Sequence, residues 1–240
     1  MKKFLNIFVA SLLSLCLSFS LLHANEKKKF IGVIGAVSGK VKTENRELKT
    51  GDKIYLNEMI ISSSGSGAQI LLLDQSTFTI GADSEVVMDT FIYDPKKNDG
   101  EIVANVKKGS LKVISGLISK KNPEKLTVNV PEGTLGSRGT EFQTIVDKKK
   151  TQTLLIGPGK DNTLGLRAGA VLVANNKGST LLNNPYSIST MKRGKAPSQA
   201  QKITKNQLKK FNKKMKAIRI AKLDTSAKKE LRKEIKQDLK

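Results

Sequence analysis

Tryptophan is absent from this 240-residue sequence, and cysteine and histidine occur once each, as Cys16 and His23. Both lie in an N-terminal segment with the features of an export signal, so a processed chain contains neither residue. Without them a protein has no thiol nucleophile, no imidazole acid–base catalyst and few of the usual zinc ligands. It also has no disulfide, even in an oxidising compartment. These absences argue against most enzymatic chemistry.

The first 24 residues have the pattern of a signal peptide. Two lysines precede an apolar run at residues 7–22, and we expect cleavage between Ala24 and Asn25. The run is slightly long and lysines follow it closely, so an uncleaved membrane anchor is the alternative. Both interpretations predict an exported protein of the periplasm or cell envelope.

A mainly β domain is predicted from residue 25 to 190. Glycine is frequent, with 19 residues, and short apolar or alternating segments recur between turn residues. This spacing is typical of a β-sandwich or a β-solenoid, and no strict repeat length selects the solenoid. The expected strand regions are residues 30–41, 53–56, 58–62, 68–73, 76–80, 85–93, 101–106, 110–114, 125–130, 141–146, 151–156, 170–174, 180–182 and 186–190.

The most distinctive stretch of this domain is residues 128–146. Alternating apolar residues predict a strand before residue 131 and another from Phe142 onward. Three glycines recur at every third position between them: Gly133, Gly136 and Gly139. Glycines of this kind supply turns or let two backbones approach closely. Arg138 beside them can lay its stem on apolar surface and bond exposed carbonyl groups, so we interpret the stretch as a structural corner.

Here a family resemblance becomes specific. The run Gly136-Ser137-Arg138-Gly139-Thr140-Glu141-Phe142 resembles the G-x-RGT-x-F ending of the FecR-type periplasmic β domain. Shorter segments agree with that family in the same order: Gly51-Asp52, Ser62-Ser63-Ser64, Gly67-Ala68-Gln69-Ile70, Leu73-Asp74-Gln75-Ser76 and Gly109-Ser110-Leu111-Lys112-Val113. The family more often has Asp-Gly-Ser at the fourth of these segments. The resemblance covers residues 54–146, with a weaker continuation to residue 190.

The resemblance implies a binding domain rather than an enzyme. In the sensor family the similar domain lies in the periplasm and passes the state of an outer-membrane transporter to a sigma-factor regulator. We do not carry that role over to this chain, and we expect a binding or scaffold module that recognises an envelope protein or glycan. The motif residues Gly136, Arg138, Gly139, Thr140 and Phe142 are expected to be structural.

The C-terminal part of the chain differs in composition. Residues 191–198 are predicted to be a linker and residues 199–240 a basic helical tail, with Ser198 as a helix cap. Residues 191–240 contain 18 Lys or Arg and 4 Asp or Glu, which gives +14 of the formal net charge of +22. One apolar helical stripe consists of Leu208, Phe211, Met215 and Ile218, and a second, beyond a break at residues 224–226, of Leu231, Ile235 and Leu239. The cations that we expect to contact an anionic partner are Lys205, Lys209, Lys210, Lys213, Lys214, Lys216 and Arg219.

Two interpretations of this tail remain open. Its apolar stripe can dock on the β domain of the same chain, or the tail can attach the protein to lipid headgroups, envelope polysaccharide or an acidic protein. The alternative function is therefore a membrane-surface or nucleic-acid-binding protein that acts through its C-terminal helix. Nucleic acid is the less favoured partner, because an exported protein seldom meets it and the tail has no aromatic stacking platform.

Other candidate sites are weak. The glycines at 32, 35 and 39 do not have dinucleotide-loop spacing, and residues 157–160 lack the Lys-Ser/Thr ending of a phosphate loop. Residues 94–101 are too rich in lysine for a calcium loop. A pair of carboxylates for hydrolysis could be drawn from Asp74, Asp83, Glu85, Asp89, Asp94 and Asp99, but most of these acids lie at predicted turns, where Asp bonds the local backbone. We therefore predict a non-enzyme without a metal or cofactor.

Overall fold

The computed structural model describes residues 28–158 and 169–220. The predicted mainly β fold with a C-terminal helix is confirmed. The first half contains strands β1 (Phe30–Ser38), β2 (Val41–Lys42), β3 (Lys53–Tyr55), β4 (Met59–Ser62), β5 (Gly67–Leu72), β6 (Thr77–Ile80), β7 (Glu85–Asp94) and β8 (Asp99–Ile114). The second half contains β9 (Leu126–Val130), β10 (Gly133–Arg138), β11 (Glu141–Asp147), β12 (Lys150–Gly157), β13 (Ala170–Asn175), β14 (Gly178–Leu182), β15 (Ser187–Lys192) and β16 (Gln201–Lys202). The helices are α1 (Leu117–Lys121), a 3₁₀ turn (Pro123–Lys125), α2 (Lys205–Lys214) and α3 (Lys216–Ile220).

The strands form two sheets that share β8. The front sheet has the order β3-β1-β5-β6-β8-β11-β12-β15-β16, and the back sheet has the order β2-β4-β7-β8-β9-β10-β13-β14. The described pairs are antiparallel except for β8 and β9, which are parallel. The second half of β8 pairs with β6 and β11, whereas its first half pairs with β7 and β9. The architecture is therefore a sandwich of two layers joined by one long strand.

The length of β8 is a correction to the sequence prediction, which split it into two strands at residues 107–109. Ladder pairing continues through this stretch, because Lys108 pairs with Glu85 and Gly109 pairs with Val146. Gly109 has a φ of 91°, and a Cβ there would lie 2.4 Å from the Cα of Ser84. Glycine is thus needed where the strand passes from the back sheet to the front sheet.

The main hydrophobic core lies between the two sheets. Inward-facing side chains alternate with outward-facing ones along each strand, as the period of two requires. Phe78 and Phe142 of the front sheet and Phe91 of the back sheet are at most 1% exposed and belong to one continuous cluster. Burial of each such side chain contributes roughly 1.5–3 kcal/mol to folding. The motif residue Phe142 is therefore a core anchor.

The corner predicted between residues 131 and 139 is shorter than expected. Strand β10 occupies most of it and pairs with β9 on one side and with β13 on the other. The three-residue glycine spacing misled the prediction, because a strand with partners on both sides tolerates glycine when its backbone groups are paired. Turns remain at Pro131-Glu132, between β9 and β10, and at Gly139-Thr140, between β10 and β11.

The predicted linker and helix start are also wrong in position. Strand β15 extends to Lys192, and β16 returns to pair with it, so the β unit continues to Lys202. Ser198 does not cap a helix, because its Oγ accepts the N–H of Thr190 at 3.0 Å. Thr204 is the cap instead: its side chain accepts the N–H of Gln207, and the Gln207 side chain accepts the N–H of Thr204.

The turn between β5 and β6 contains a residue with a left-handed backbone. Gln75 has a φ of 67°, which side chains with a Cβ rarely adopt. It lies between Asp74 and Ser76, at the position where the FecR-type motif more often has glycine. The turn is held by a hydrogen bond from the Gln75 N–H to the Leu72 carbonyl at 2.9 Å.

We therefore predict that Gln75→Gly stabilises the protein. The substitution removes the Cβ that opposes the left-handed conformation, and we expect the free energy of unfolding in urea to rise by about 1 kcal/mol. Gln75→Ala is the matched control, because it keeps the Cβ and has the same left-handed backbone. An alanine variant as stable as the glycine variant would contradict the explanation.

Candidate functional site

The RGT corner is a hydrogen-bonded joint. Gly139 has a φ of 57°, and Thr140 after it is 3% exposed. The Thr140 Oγ1 lies 2.9 Å from the Gly157 carbonyl oxygen and 3.1 Å from that of Pro158, so it donates its proton at the end of β12. The carbonyl oxygen of Thr140 accepts the N–H of Ser115 at 3.1 Å. The corner therefore fixes the ends of β8, β11 and β12 together.

Arg138 does not take part in this joint. Its backbone pairs with Ala170, but its side chain is exposed and makes no hydrogen bond or ion pair with the described residues. The predicted bonds from its guanidinium to carbonyl groups are thus not found in this part of the chain. Gly136 pairs with Leu172 in the same ladder. Both residues lie on the back sheet, away from the C-terminal helix.

A buried carboxylate holds the tip of the β5–β6 hairpin. Asp74 is fully buried, with Oδ1 accepting the Ser76 N–H at 3.0 Å and Oδ2 accepting the Ser76 hydroxyl at 2.8 Å. The hydroxyl in turn accepts the N–H of Gly116 at 2.9 Å, and the Asp74 carbonyl accepts that of Leu117. Burial raises the pKa of the Asp74 carboxyl above its ordinary value of 3.8, and the hydrogen bonds from Ser76 offset only part of this effect.

The other candidate carboxylates have structural contacts of their own. Four have partners: Asp83 with Lys214 at 3.2 Å, Glu85 with Lys108 at 2.7 Å, Asp94 with Lys97 at 3.9 Å, and Asp99 with the Asn122 amide at 2.7 Å. Asp89 is exposed. Across residues 28–158 and 169–220 no group of three or more His, Cys, Asp or Glu is placed to hold a metal ion.

The C-terminal helix docks on the outer face of the front sheet. Phe211 is 1% exposed and packs with Ile145, Leu154 and Ile188 from three neighbouring strands. Met215 and Ile218 pack on Ala36 of β1 in a separate cluster. The stripe predicted from the sequence thus binds the β domain of its own chain, which is one of the two interpretations left open above.

Hydrogen bonds to the helix end reinforce this apolar contact. The last carbonyl groups of a helix have no partner within it. The side-chain amide of Gln143 donates to the Phe211 carbonyl at 3.1 Å, and the N–H of Ala82 donates to the Lys214 carbonyl at 3.0 Å. The helix breaks at Met215, between α2 and α3, and the predicted break at 224–226 lies outside the described residues. The sequence analysis did not identify Gln143 as a contact of the helix. The available signal was strand alternation, which puts Gln143 on the face of β11 opposite to Phe142 and Thr144.

Two of the predicted cations are held by ion pairs and four face solvent. Lys210 pairs with Asp147 at 2.7 Å, and Lys214 pairs with Asp83 at 3.2 Å. Partly exposed pairs of this kind contribute at most about 1 kcal/mol. The exposed cations are Lys205, Lys209, Lys213 and Lys216. The side chain of Arg219, the cleavage site at Ala24 and Asn25, and the second stripe at 231–239 lie outside the described residues.

Comparison with known proteins identifies the domain. Residues 58–157 match the family model described as FecR protein. This stretch is a FecR domain, and it contains the RGT corner, the Asp74 turn and all of β8. No curated protein matches the sequence.

Solved structures that this chain matches over part of its length include two crystal structures, at 2.50 Å and 1.65 Å resolution, of a protein from Parabacteroides distasonis ATCC 8503 provisionally assigned as an anti-sigma factor. Each is 10% identical to this chain, with a TM-score of 0.46. The alignment covers 63% of this chain and 62% of the other. Among the described residues, none of the helices has the length and apolar character needed to cross a membrane.

The buried carboxylate predicts a specific pH dependence. The unfolded chain releases the Asp74 proton near 3.8, whereas the folded protein releases it at higher pH. Between these two values the folded state binds more protons, so the free energy of unfolding falls as pH rises. Asp74→Asn has no such titration, and its stability relative to the wild type should improve as pH rises from about 3 to 7. A difference that stays constant in urea titrations across this range would refute the assignment.

The docked helix predicts a local effect of Phe211→Ala. Loss of a buried phenylalanine lowers stability by about 3–5 kcal/mol. If the helix opens as a local unit, this loss corresponds to at least 100-fold faster exchange of its amide hydrogens. We expect this increase at residues 205–218 and unchanged protection in β8, measured by hydrogen exchange. Asn212→Ala, an exposed change on the same helix, is the control. Equal loss of protection in β8 and in the helix would show that the helix is not a separately opening unit.

Proposed function

We propose that this protein is a non-enzymatic binding or scaffold module of the cell envelope, built on a FecR domain and connected with envelope signalling. Its C-terminal helix is the contact surface for an anionic partner, which is an acidic envelope protein or glycan. Export rests on the N-terminal signal pattern, and the connection with signalling rests on the family. The observation that carries the proposal is the row of exposed lysines on a helix that is fixed to the domain.

Four exposed lysines follow the helical segment and form the lysine row. Lys205, Lys209 and Lys213 are spaced by four residues, so they lie along one face of α2, and Lys216 is exposed at the start of α3, after the break at Met215. Helical spacing places these lysines outside the stripe that contacts the front sheet. Like charges at these spacings repel, by about 0.2–0.5 kcal/mol for each pair at i and i+4. Docking of the helix supplies the stability that offsets this repulsion, and a polyanionic partner would convert it into attraction.

The non-enzymatic part of the proposal is supported by the chemistry of the described residues. Among the candidate carboxylates, Asp83, Glu85, Asp94 and Asp99 have structural partners, and Asp89 is exposed. Asp74, the one with a raised pKa, is enclosed by Ser76 and the backbone of α1. A general acid must reach its substrate, and a fully buried carboxyl does not. These residues therefore favour recognition over reaction.

The proposal predicts that charge reversal on the helix abolishes partner capture. A photoreactive amino acid at Asn206, an exposed position beside the lysine row, should form an adduct with the partner in intact cells. The variant K205E/K209E/K213E/K216E should reduce the adduct by at least tenfold, since each lysine near an anionic surface contributes about 1 kcal/mol. Mass spectrometry of the adduct identifies the partner class.

The matched control carries the same charge change elsewhere on the domain. The variant K42E/K107E/K177E/K195E alters four exposed lysines outside the helix and should keep the adduct. Equal loss in both variants would mean that net charge alone drives capture. An adduct that survives in both would move recognition away from the helix.

A further inference from the structure

A cavity of about 550 Å³ lies between the front sheet and the C-terminal helix. Its size is in the range of sites that hold small molecules. Leu208, Met215 and Ile218 of the helical segment form its apolar wall. The opposite wall is the outer face of the sheet, and its centre is polar. The helix contacts apolar clusters on both sides of this polar centre.

Strand register creates the polar wall. Gln69 is the cross-strand partner of Thr79, Thr79 of Lys112, and Lys112 of Gln143. Directly opposed residues on one face of a sheet have their side chains about 5 Å apart. Four polar side chains from four neighbouring strands therefore form a straight row along the cavity.

The hydroxyl of Thr79 has no partner. Thr79 is 2% exposed, and its Oγ1 makes no hydrogen bond within the described residues. A buried hydroxyl without a partner costs free energy, and natural proteins contain few such groups. This side chain lines the cavity, so a ligand there can accept its proton or donate to its oxygen.

The groups beside Thr79 offer a ligand further hydrogen-bond donors and acceptors, and their net charge is zero. Gln143 is 4% exposed and uses its Nε2 to bind the Phe211 carbonyl, which leaves its Oε1 as an acceptor. Lys112 and Glu141 form an ion pair at 3.1 Å, and both line the cavity. Because these two charges cancel, the site disfavours a ligand with a strong charge of either sign. The pair still has free donors and acceptors for hydroxyl groups.

An aromatic ring stands at the edge of the cavity. This residue is Tyr186, which lies in the turn before β15, lines the cavity and is 48% exposed. An amphipathic ring at the mouth of a polar site offers a flat apolar surface to one face of a ligand. The cavity thus combines a neutral set of donors and acceptors on one wall with an aromatic platform at its opening.

We propose that this cavity binds a neutral sugar ring. Several adjacent hydroxyl groups match the row of Gln69, Thr79 and Gln143 and the Lys112–Glu141 pair, and the apolar face of the ring matches Tyr186. The site is separate from the lysine row, since none of the four lysines lines the cavity. The two proposals are therefore independent: absence of sugar binding would leave the proposed anionic contact intact, and absence of the anionic contact would leave the proposed sugar site intact.

The test uses the full chain and defined sugars. Saturation-transfer NMR and calorimetry with D-glucose, D-galactose, D-mannose and N-acetyl-D-glucosamine should show saturable binding of at least one, with a Kd below about 10 mM. D-Glucuronate and D-glucosamine, which carry opposite charges, should bind more weakly than the neutral sugar. Absence of binding by all four neutral sugars, or tighter binding of either charged sugar, would overturn the proposal.

Substitution of Thr79 distinguishes two explanations of its unpaired hydroxyl, a ligand-binding site and a packing defect. Thr79→Val keeps the shape of the side chain and removes the hydroxyl, so sugar affinity should fall about tenfold while the melting temperature stays equal or rises. Thr77→Val is the matched control, because Thr77 is a half-buried threonine of the same strand outside the cavity lining. Equal affinity of the two variants would reject the site.

A second substitution keeps the test valid if Thr79→Val fails to fold. Tyr186→Leu changes an exposed side chain and should weaken sugar binding several-fold without loss of structure. Unchanged affinity in this variant would also count against the sugar site.

Discussion

The apolar contact between the C-terminal helix and the front sheet is the interaction on which the functional surface depends. Ile145, Leu154 and Ile188 lie on the outer face of that sheet and would be exposed without Phe211 above them. Burial of such side chains is worth more than the lysine pairs beside them, because the ion pairs are partly exposed. The helix is therefore held mainly by its apolar stripe.

The back sheet has no comparable cover in the described residues. Its strands carry exposed charged side chains such as Lys107 and Arg138, and the amide of Asn129 donates to Asn105 at 2.8 Å. Leu172 and Leu181 are exposed there, but they form a small patch of two cross-strand partners. The surface that the helix covers is the apolar cluster of Ile145, Leu154 and Ile188 on the front sheet.

Docking has two consequences for function. It turns a row of lysines, which in an isolated helix would repel one another, into a surface with a fixed position on the domain. The helix also covers the polar row of the front sheet and contacts apolar clusters on both sides of it. The space between the helix and the polar row is the cavity with the unpaired Thr79 hydroxyl. The β domain therefore supplies the platform, and the helix supplies both the charged surface and one wall of the cavity.

Local patterns in the sequence predicted much of this fold. Alternation and turn residues placed most strands within a few residues: the regions predicted at 141–146 and 151–156, for example, correspond to β11 and β12. The break in β8 was predicted wrongly because two lysines and a glycine are typical of a turn, whereas ladder pairing keeps them extended. The helix start was misplaced although Thr204 and Gln207 have the spacing of a capping box.

The cavity could not be predicted in this way. Thr79, Lys112 and Gln143 are separated by more than thirty residues from one another, and only the register of three strands brings them into one row. Their burial depends further on a helix from a distant part of the chain. No local pattern contains either relation, whereas the lysine row and the apolar stripe follow directly from helical spacing.

The central claim is tested most directly by NMR contacts of the Phe211 ring in the full chain. Docking predicts nuclear Overhauser effects from this ring to the methyl groups of Ile145, Leu154 and Ile188, together with shifted resonances for all four residues. A Phe211 ring with random-coil shifts and no contact to these methyl groups would contradict the account.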